Sequence, residues 1–225
     1  MAVDAVIFDW GGTLTPWHAI DHEALWRAVC APHFPADHHD RAADILAAEL
    51  SAWELAGTLR RSSTLCAVFD QAGMEPPDAL LADYRREFEQ HTFTDAAAAE
   101  VFGTLRARGI KIGVLSNTLW PRCWHEDVFR RDGLLSLIDG AVYSSEIAWA
   151  KPHPRAFRAA MASVGATDPA RCVFVGDRPR DDISGAQGAG MRAILVPHSE
   201  VPAFDVTPDA IISGLAELPA VIESW

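Results

Sequence analysis

The chain has 225 residues, 49% hydrophobic and 22% charged, a composition of folded globular proteins and not of disordered ones. Its formal net charge of -12 argues against a nucleic-acid partner, which demands clustered Lys and Arg, and means that an anionic substrate must be drawn in by a local positive group or a metal. No stretch approaches the ~18 consecutive apolar residues of a membrane helix. The start carries no basic, small-residue leader either, so a cytoplasmic protein of one to two domains, monomer or homodimer, is expected.

In chain order, the first informative segment is Val6-Ile7-Phe8-Asp9-Trp10-Gly11-Gly12-Thr13-Leu14. An apolar run ending on an acid, followed at once by two glycines, reads as a buried strand that delivers a carboxylate to a tight turn. Residues 20–30, 41–55, 63–72 and 77–91 carry apolar side chains at three- and four-residue spacing and are rich in Ala, Leu, Glu and Arg, so four helices are expected. Pro32, Pro35, Gly57, Gly73 and Pro76-Pro77 mark the joints between them.

From Thr94 the pattern alternates. Helices are expected over 95–108, 121–131, 154–164 and 182–189, strands over 110–115, 140–144, 171–175, 192–196 and 210–212, and a closing helix after them. Such alternation implies a mostly parallel sheet covered on both faces. The fold class is therefore α/β: a Rossmann-like parallel-sheet core from residues 1–15 and 94–225, interrupted after its first strand by an all-helical cap over 16–93. Cys30, Cys66, Cys123 and Cys172 are scattered without a Cys-x-x-Cys pair and read as small core hydrophobes, not as a disulfide framework or zinc site. The run Gly185-Ala186-Gln187-Gly188-Ala189-Gly190 has the wrong order for a dinucleotide fingerprint and reads as a small-residue helix face packed on the sheet.

Four expected strand ends carry polar groups: Asp9 with Gly11 and Thr13, then Ser116-Asn117, then Lys151-Pro152, then Gly176-Asp177 with Asp181-Asp182. The text DWGGTL at 9–14, VLSNT at 114–118, KPHPRAF at 151–157 and VGDRPRDDISGA at 175–186 resembles the haloacid dehalogenase superfamily of aspartyl-nucleophile hydrolases, from Val6 to about Pro197. The helical insert resembles the cap that the family places between its first and second motifs.

The resemblance implies that Asp9 attacks phosphorus to give an aspartyl-phosphate, splitting one hard displacement into two. It implies that Asp9, the backbone carbonyl of Gly11, Asp177 and Asp182 hold Mg²⁺, for which an oxygen-rich cluster is suited. Asp182 fits the family's D-x-x-G-A register better than Asp181. Lys151 would supply a point charge to the phosphoryl oxygens and to Asp9, with Ser116, Asn117 and Thr13 completing the substrate contacts. The expected substrate is a small phosphorylated or other small organic molecule.

One position departs from the family. Its phosphatases carry a second Asp two residues after the nucleophile, as general acid and base, and here that position is Gly11. Losing such a group typically costs ~10²–10⁴-fold in rate. Another side chain could supply the proton, with His18, Asp21 and His22 nearest in sequence. The scaffold could instead cleave carbon–halogen or carbon–phosphorus bonds, although the retained Asp177 and Asp182 argue against the first and an insert without lysine against the second. A catalytically impaired phosphate-ester binder is the remaining alternative. Trp10, Trp17, Trp120 and Trp149 lie in or beside the motif loops and suggest a flat or apolar leaving group. Arg60-Arg61 and Arg85-Arg86 read as solvated helix faces.

Overall fold

The structure, a computed structural model, describes residues 3–198 and 200–225; Met1 and Ala2, on which part of the leader reading fell, lie outside them. After strand β1 (Ala5–Phe8) the chain forms four helices: α1 (His22–Cys30), α2 (His38–Leu59), α3 (Leu65–Gln71) and α4 (Asp78–Phe88). A 3-10 turn, Glu89–His91, follows. The starts of α1 and α3 are fixed by capping: the Asp21 carboxylate accepts from the Ala24 amide at 2.9 Å, and the Thr64 hydroxyl from the Ala67 amide at 3.1 Å.

Helix α2 is longer than its periodicity suggests and runs through Gly57, expected as a joint. A glycine inside a helix costs only about 1 kcal/mol, which packing readily offsets. The helix ends where Arg60 turns left-handed, at φ 56°. There the chain is tied down: Ala150 donates its amide to the Arg60 carbonyl at 3.0 Å, and Arg61 forms a β-bridge with Trp149.

The remaining elements are α5 (Ala98–Ala107), β2 (Lys111–Ser116), α6 (Arg122–Arg131), β3 (Gly140–Tyr143), α7 (Pro154–Ser163), β4 (Cys172–Gly176), α8 (Gly185–Gly188), β5 (Arg192–Leu195), β6 (Ala210–Ile211) and α9 (Leu218–Glu223). The strands form one parallel sheet in the order β3-β2-β1-β4-β5-β6. The order reverses between β1 and β4, and in open α/β sheets the crevice beyond the strands' carboxyl ends at such a point receives ligands.

Burial on both faces explains the near-continuous apolar strands. Val6, Phe8, Val114, Val173 and Val175 enter one apolar cluster with α5, α6 and α9. Ala5, Ile7, Leu115, Cys172 and Phe174 enter a second with α7 and α8. Trp26, Ile45, Phe69 and Leu80 of the helical insert belong to the first cluster too, and Trp120 reaches across to the insert at Tyr84 and Phe88.

Two expectations need correction. Cys30 and Cys172 are buried, but Cys66 and Cys123 are exposed, on outward positions of α3 and α6; all four are free thiols. The helix expected from residue 182 begins earlier, as a wide π-type turn over Pro179–Ser184 that leads into α8. The widened turn brings the Asp182 carboxylate back to the Arg178 amide at 2.9 Å. The glycine run meets helix α7 as well as the sheet: a Cβ at Gly185 would lie 2.7 Å from the Phe157 ring of α7, whereas one at Gly188 would meet nothing within 4 Å. Among the described residues no helix is long and apolar enough to cross a membrane.

Candidate active site

Asp9 follows β1 directly, and its amide donates to the Val175 carbonyl at 2.9 Å, extending the β1–β4 ladder by one residue. Its carboxylate is thereby fixed at the carboxyl edge of the sheet. The chain then folds back on itself, with the amides of Leu14 and Thr15 both donating to the Trp10 carbonyl at 2.9 and 3.0 Å. Gly12 has φ 85°, and a Cβ there would sit 2.7 Å from Asp177 Oδ2, so the turn admits only glycine. Gly11 differs: a Cβ there meets nothing within 4 Å.

Lys151 reaches the same point from the far end of the β3–α7 connection. Its Nζ lies 2.6 Å from Asp9 Oδ1 and 2.7 Å from Asp182 Oδ1, all three groups being buried. Asn117, just beyond β2, holds it there: its amide nitrogen donates to the Lys151 carbonyl at 3.0 Å, and its oxygen accepts from the Lys151 amide at 2.8 Å. Burial would lower the Lys151 ammonium, but the Asp182 and Asp9 charges outweigh it and hold the group firmly protonated.

Asp177 and Asp182 are both fully buried. Burial, together with the Asp9 and Asp182 charges, pushes Asp177 up to about 8. Burial pushes Asp182 up to about 6 against the pull of Lys151, with Asp9 adding to the rise. One carboxylate oxygen from each of Asp9, Asp177 and Asp182 lies within 4.8 Å of the others. Asp177 Oδ2 is buried and has no hydrogen-bond partner, while the Thr13 hydroxyl sits 3.5 Å from Oδ1. Three converging acids with more negative charge than one lysine neutralises, and one oxygen left open, fit a divalent cation with hard oxygen ligands.

Above this cluster a cavity of about 660 Å³ opens between the sheet edge and the helical insert. Asp9, Gly11, Ser116, Asn117, Lys151 and Arg178 form its floor and rim. The insert supplies His18, His22, Glu49, Trp53, Tyr84, Phe88 and His91. Trp120 bridges the two sides, its indole nitrogen donating to the Tyr84 hydroxyl at 3.1 Å and its ring lying 4.9 Å from Phe88 and 5.6 Å from Trp10.

A family profile for haloacid dehalogenase-like hydrolases matches residues 3–190. The chain belongs to the haloacid dehalogenase-like hydrolases. Among curated relatives of this hydrolase, a phosphoserine phosphatase of Thermus thermophilus is 30% identical over 90% of this chain and 76% of its own. A glyceraldehyde 3-phosphate phosphatase of Methanothermobacter thermautotrophicus is 36% identical over 51% of this chain, which spans only 53% of that relative's length. Among solved structures, a phosphatase of the same superfamily from Thermococcus onnurineus superposes with a TM-score of 0.71 at 20% identity, covering 98% of both chains. At that identity the likeness speaks for the fold.

Of the residues that the haloacid dehalogenase resemblance singles out, Asp9, Lys151, Asp177 and Asp182 meet in one buried cluster. Asp181 is half-buried at the rim, 3.6 Å from Arg180. Ser116 and Asn117 line the cavity, while Thr13 turns toward Asp177. Trp10, Trp17 and Trp120 line the cavity as well. Trp149 does not: Arg61 and Arg155 stand over its ring at 5.1 and 5.2 Å, and His153 stacks on it at 4.0 Å. Arg85 pairs with Asp127 at 3.0 Å and Arg86 with Asp83 at 2.7 Å, so these arginines act in surface pairs.

Glu49, Tyr84 and His91 line the cavity although none of them lies in a recognisable motif. Glu49 carried a signal, because it shares the buried stripe of α2 with Ala42, Ile45, Ala52 and Ala56. An acid at a core position of a helix must find a partner. Here Trp26 donates its indole N–H to Glu49 Oε2 at 2.8 Å, and His22 Nδ1 lies 3.3 Å from the same oxygen.

Proposed function

We propose that this hydrolase cleaves phosphate monoesters of small organic molecules, with Asp9 as nucleophile and Mg²⁺ as cofactor. The observation that carries the reading is the buried Asp9–Lys151–Asp182 cluster with Asp177 beside it, at the point where the sheet order reverses. Named phosphatases among the relatives support the same reaction class.

In this reading Lys151, 2.6 Å from Asp9 Oδ1, holds that carboxylate in place, and its charge attracts the phosphoryl oxygens against the net charge of -12. Ser116 donates to a phosphoryl oxygen. Asn117 positions Lys151 through its two backbone hydrogen bonds, and Thr13 orients Asp177. Asp9, the Gly11 carbonyl, Asp177 and Asp182 would hold Mg²⁺, which supplies the positive charge that lets a carboxylate approach a phosphate. Asp9 attacks phosphorus, the ester oxygen leaves, and water then hydrolyses the acyl phosphate.

The helical insert, residues 16–93, acts as a cap that admits substrate and excludes water when closed. Trp10, Trp17, Tyr84, Phe88 and Trp120 favour a leaving group with a flat or apolar portion. Carbon–halogen cleavage is the second reading, and the partnerless oxygen of buried Asp177 counts against it, since that chemistry has no use for a cation site.

A panel of phosphate monoesters assayed with and without Mg²⁺ tests the proposal. Turnover that chelation removes and Asp9→Asn abolishes is the expected result. Halide release from a 2-haloacid, or tight binding of phosphate esters without turnover, would replace it with one of the other two readings.

A further inference from the structure

Position 11 offers no side chain to protonate the leaving oxygen, and the cavity wall opposite Asp9 contains a buried acid that the reaction above does not use. Glu49 is 3% exposed. Its Oε2 is fixed by the Trp26 indole, and the same oxygen meets His22 Nδ1 at 3.3 Å. A carboxylate on one imidazole nitrogen fixes ring and tautomer and leaves Nε2 for a reacting group. His22 is the first residue of α1 and lines the cavity that contains Asp9, with about a third of its side chain exposed.

We infer that His22, oriented by Glu49, is the proton carrier of this hydrolase: it protonates the leaving alkoxide and then deprotonates the water that attacks the aspartyl-phosphate. The inference rests on the phosphomonoester reading. In the first step Asp9 Oδ forms a bond to phosphorus, the bond from phosphorus to the ester oxygen breaks, and that oxygen takes the Nε2 proton, releasing a neutral alcohol. In the second, water attacks phosphorus, its proton passes to neutral His22, the acyl phosphate bond breaks, and inorganic phosphate leaves. His22 is again protonated and Asp9 again a carboxylate. Glu49 is a positioning residue throughout.

The other groups facing the cavity suit the role less well. The hydrogen bond that His22 donates to Glu49 raises its imidazole; burial opposes this, and the charges of Glu49 and Asp21 add to the rise, as an acid working near neutrality requires. Burial, then the His18 and His22 charges, lower His91, and its Nδ1 has no partner among the described residues. His18 meets the His91 ring at 5.0 Å and, among the described residues, pairs with no carboxylate. Asp21 is committed to the cap of α1. The charged groups that set the His22 titration are therefore Glu49 from α2 and Asp21 on its own turn.

The test is kcat/KM, with Mg²⁺, for three esters of rising leaving-group basicity: p-nitrophenyl phosphate, phenyl phosphate and an alkyl phosphate. His22→Gln should lower the alkyl phosphate value by about 10²-fold or more, and the p-nitrophenyl value hardly at all, because a nitrophenolate leaves without a proton. His22→Asn provides a second variant, with thermal melts to show that both fold. Glu49→Gln should move the alkaline limb of the alkyl phosphate profile to lower pH, a shift that lost packing would not produce. Gly11→Asp placed in the His22→Gln background should restore alkyl phosphate turnover. Equal losses for all three esters, or a rise in KM with kcat kept, would overturn the inference and make His22 a structural or anion-binding residue. Absence of turnover of every ester by the wild type would remove the phosphomonoester reading, and this inference with it.

Discussion

The two walls of the cavity hold their charges in different ways. On the sheet side, Asp9, Asp177 and Asp182 sit at strand ends or in the first turn beyond them, and a single ammonium, Lys151, reaches across to two of the three. That wall is rigid, over-supplied with negative charge and built from backbone positions that the sheet dictates. On the insert side, Glu49 is alone in an apolar helix face, satisfied by an indole and an imidazole that come from α1. In the proposed reaction the first wall runs one chemistry on any ester presented to it. The second can be rebuilt by substitution on two helices without disturbing the sheet, and in the same proposal it would handle the leaving group and specificity.

The largest effect is expected from the sheet wall. Asp9→Asn should lower kcat by about 10⁴-fold or more, as removal of a nucleophile does, with little change in melting temperature. Lys151→Met leaves two buried carboxylates beside each other without their cation. Breaking a buried pair in this way costs roughly 3–5 kcal/mol, which a denaturant titration of the metal-free protein would read as a lower midpoint.

Gly11→Asp tests the point where the walls meet. Because a Cβ at residue 11 meets nothing, the side chain should be accommodated; with His22 already supplying the proton, alkyl phosphate turnover should change by less than about 10-fold, against about 10²-fold in the His22→Gln background. A rise of about 10²-fold in the wild-type background would mean that the insert wall does not supply the proton.

The hydrophobic seam between the walls gives smaller effects. Trp120→Phe deletes the hydrogen bond to Tyr84, and the buried hydroxyl then lacks its donor, for a loss of about 1–2 kcal/mol in unfolding free energy. His125, packed edge-on to Trp10 at 4.6 Å, is pushed down to about 3 by burial, with Arg122 adding to the effect. Its folded form refuses a proton that the unfolded chain accepts below about 6.5. Stability should therefore fall as pH drops from about 6.5 toward 3, and the wild type should lose more across that window than His125→Gln in parallel melts.

The sequence was most legible where backbone geometry and chemistry coincide. A strand ending in an acid, a glycine turn and a lysine before proline each occupy a few consecutive residues, so their placement could be read before any fold was known. Helix ends were less legible, because Gly57 and the turn at Pro179–Ser184 are decided by what they pack against and not by propensity. The insert wall was scarcely legible. His22, Glu49, Tyr84 and His91 come from three separate stretches, and only the packing of α1 against both α2 and α4 turns them toward one space. Glu49 was the exception available to a closer reading, since an acid among Ala42, Ile45, Ala52 and Ala56 is costly without a partner.

The most direct measurement is chemical quench of the Mg²⁺-loaded protein during turnover of p-nitrophenyl phosphate, followed by mass analysis of the peptide that spans residues 3–14. A phosphoryl group carried on Asp9 and absent in Asp9→Asn is the predicted result. Steady release of phosphate with Asp9 never modified, or with the phosphoryl group on another side chain, would contradict the account.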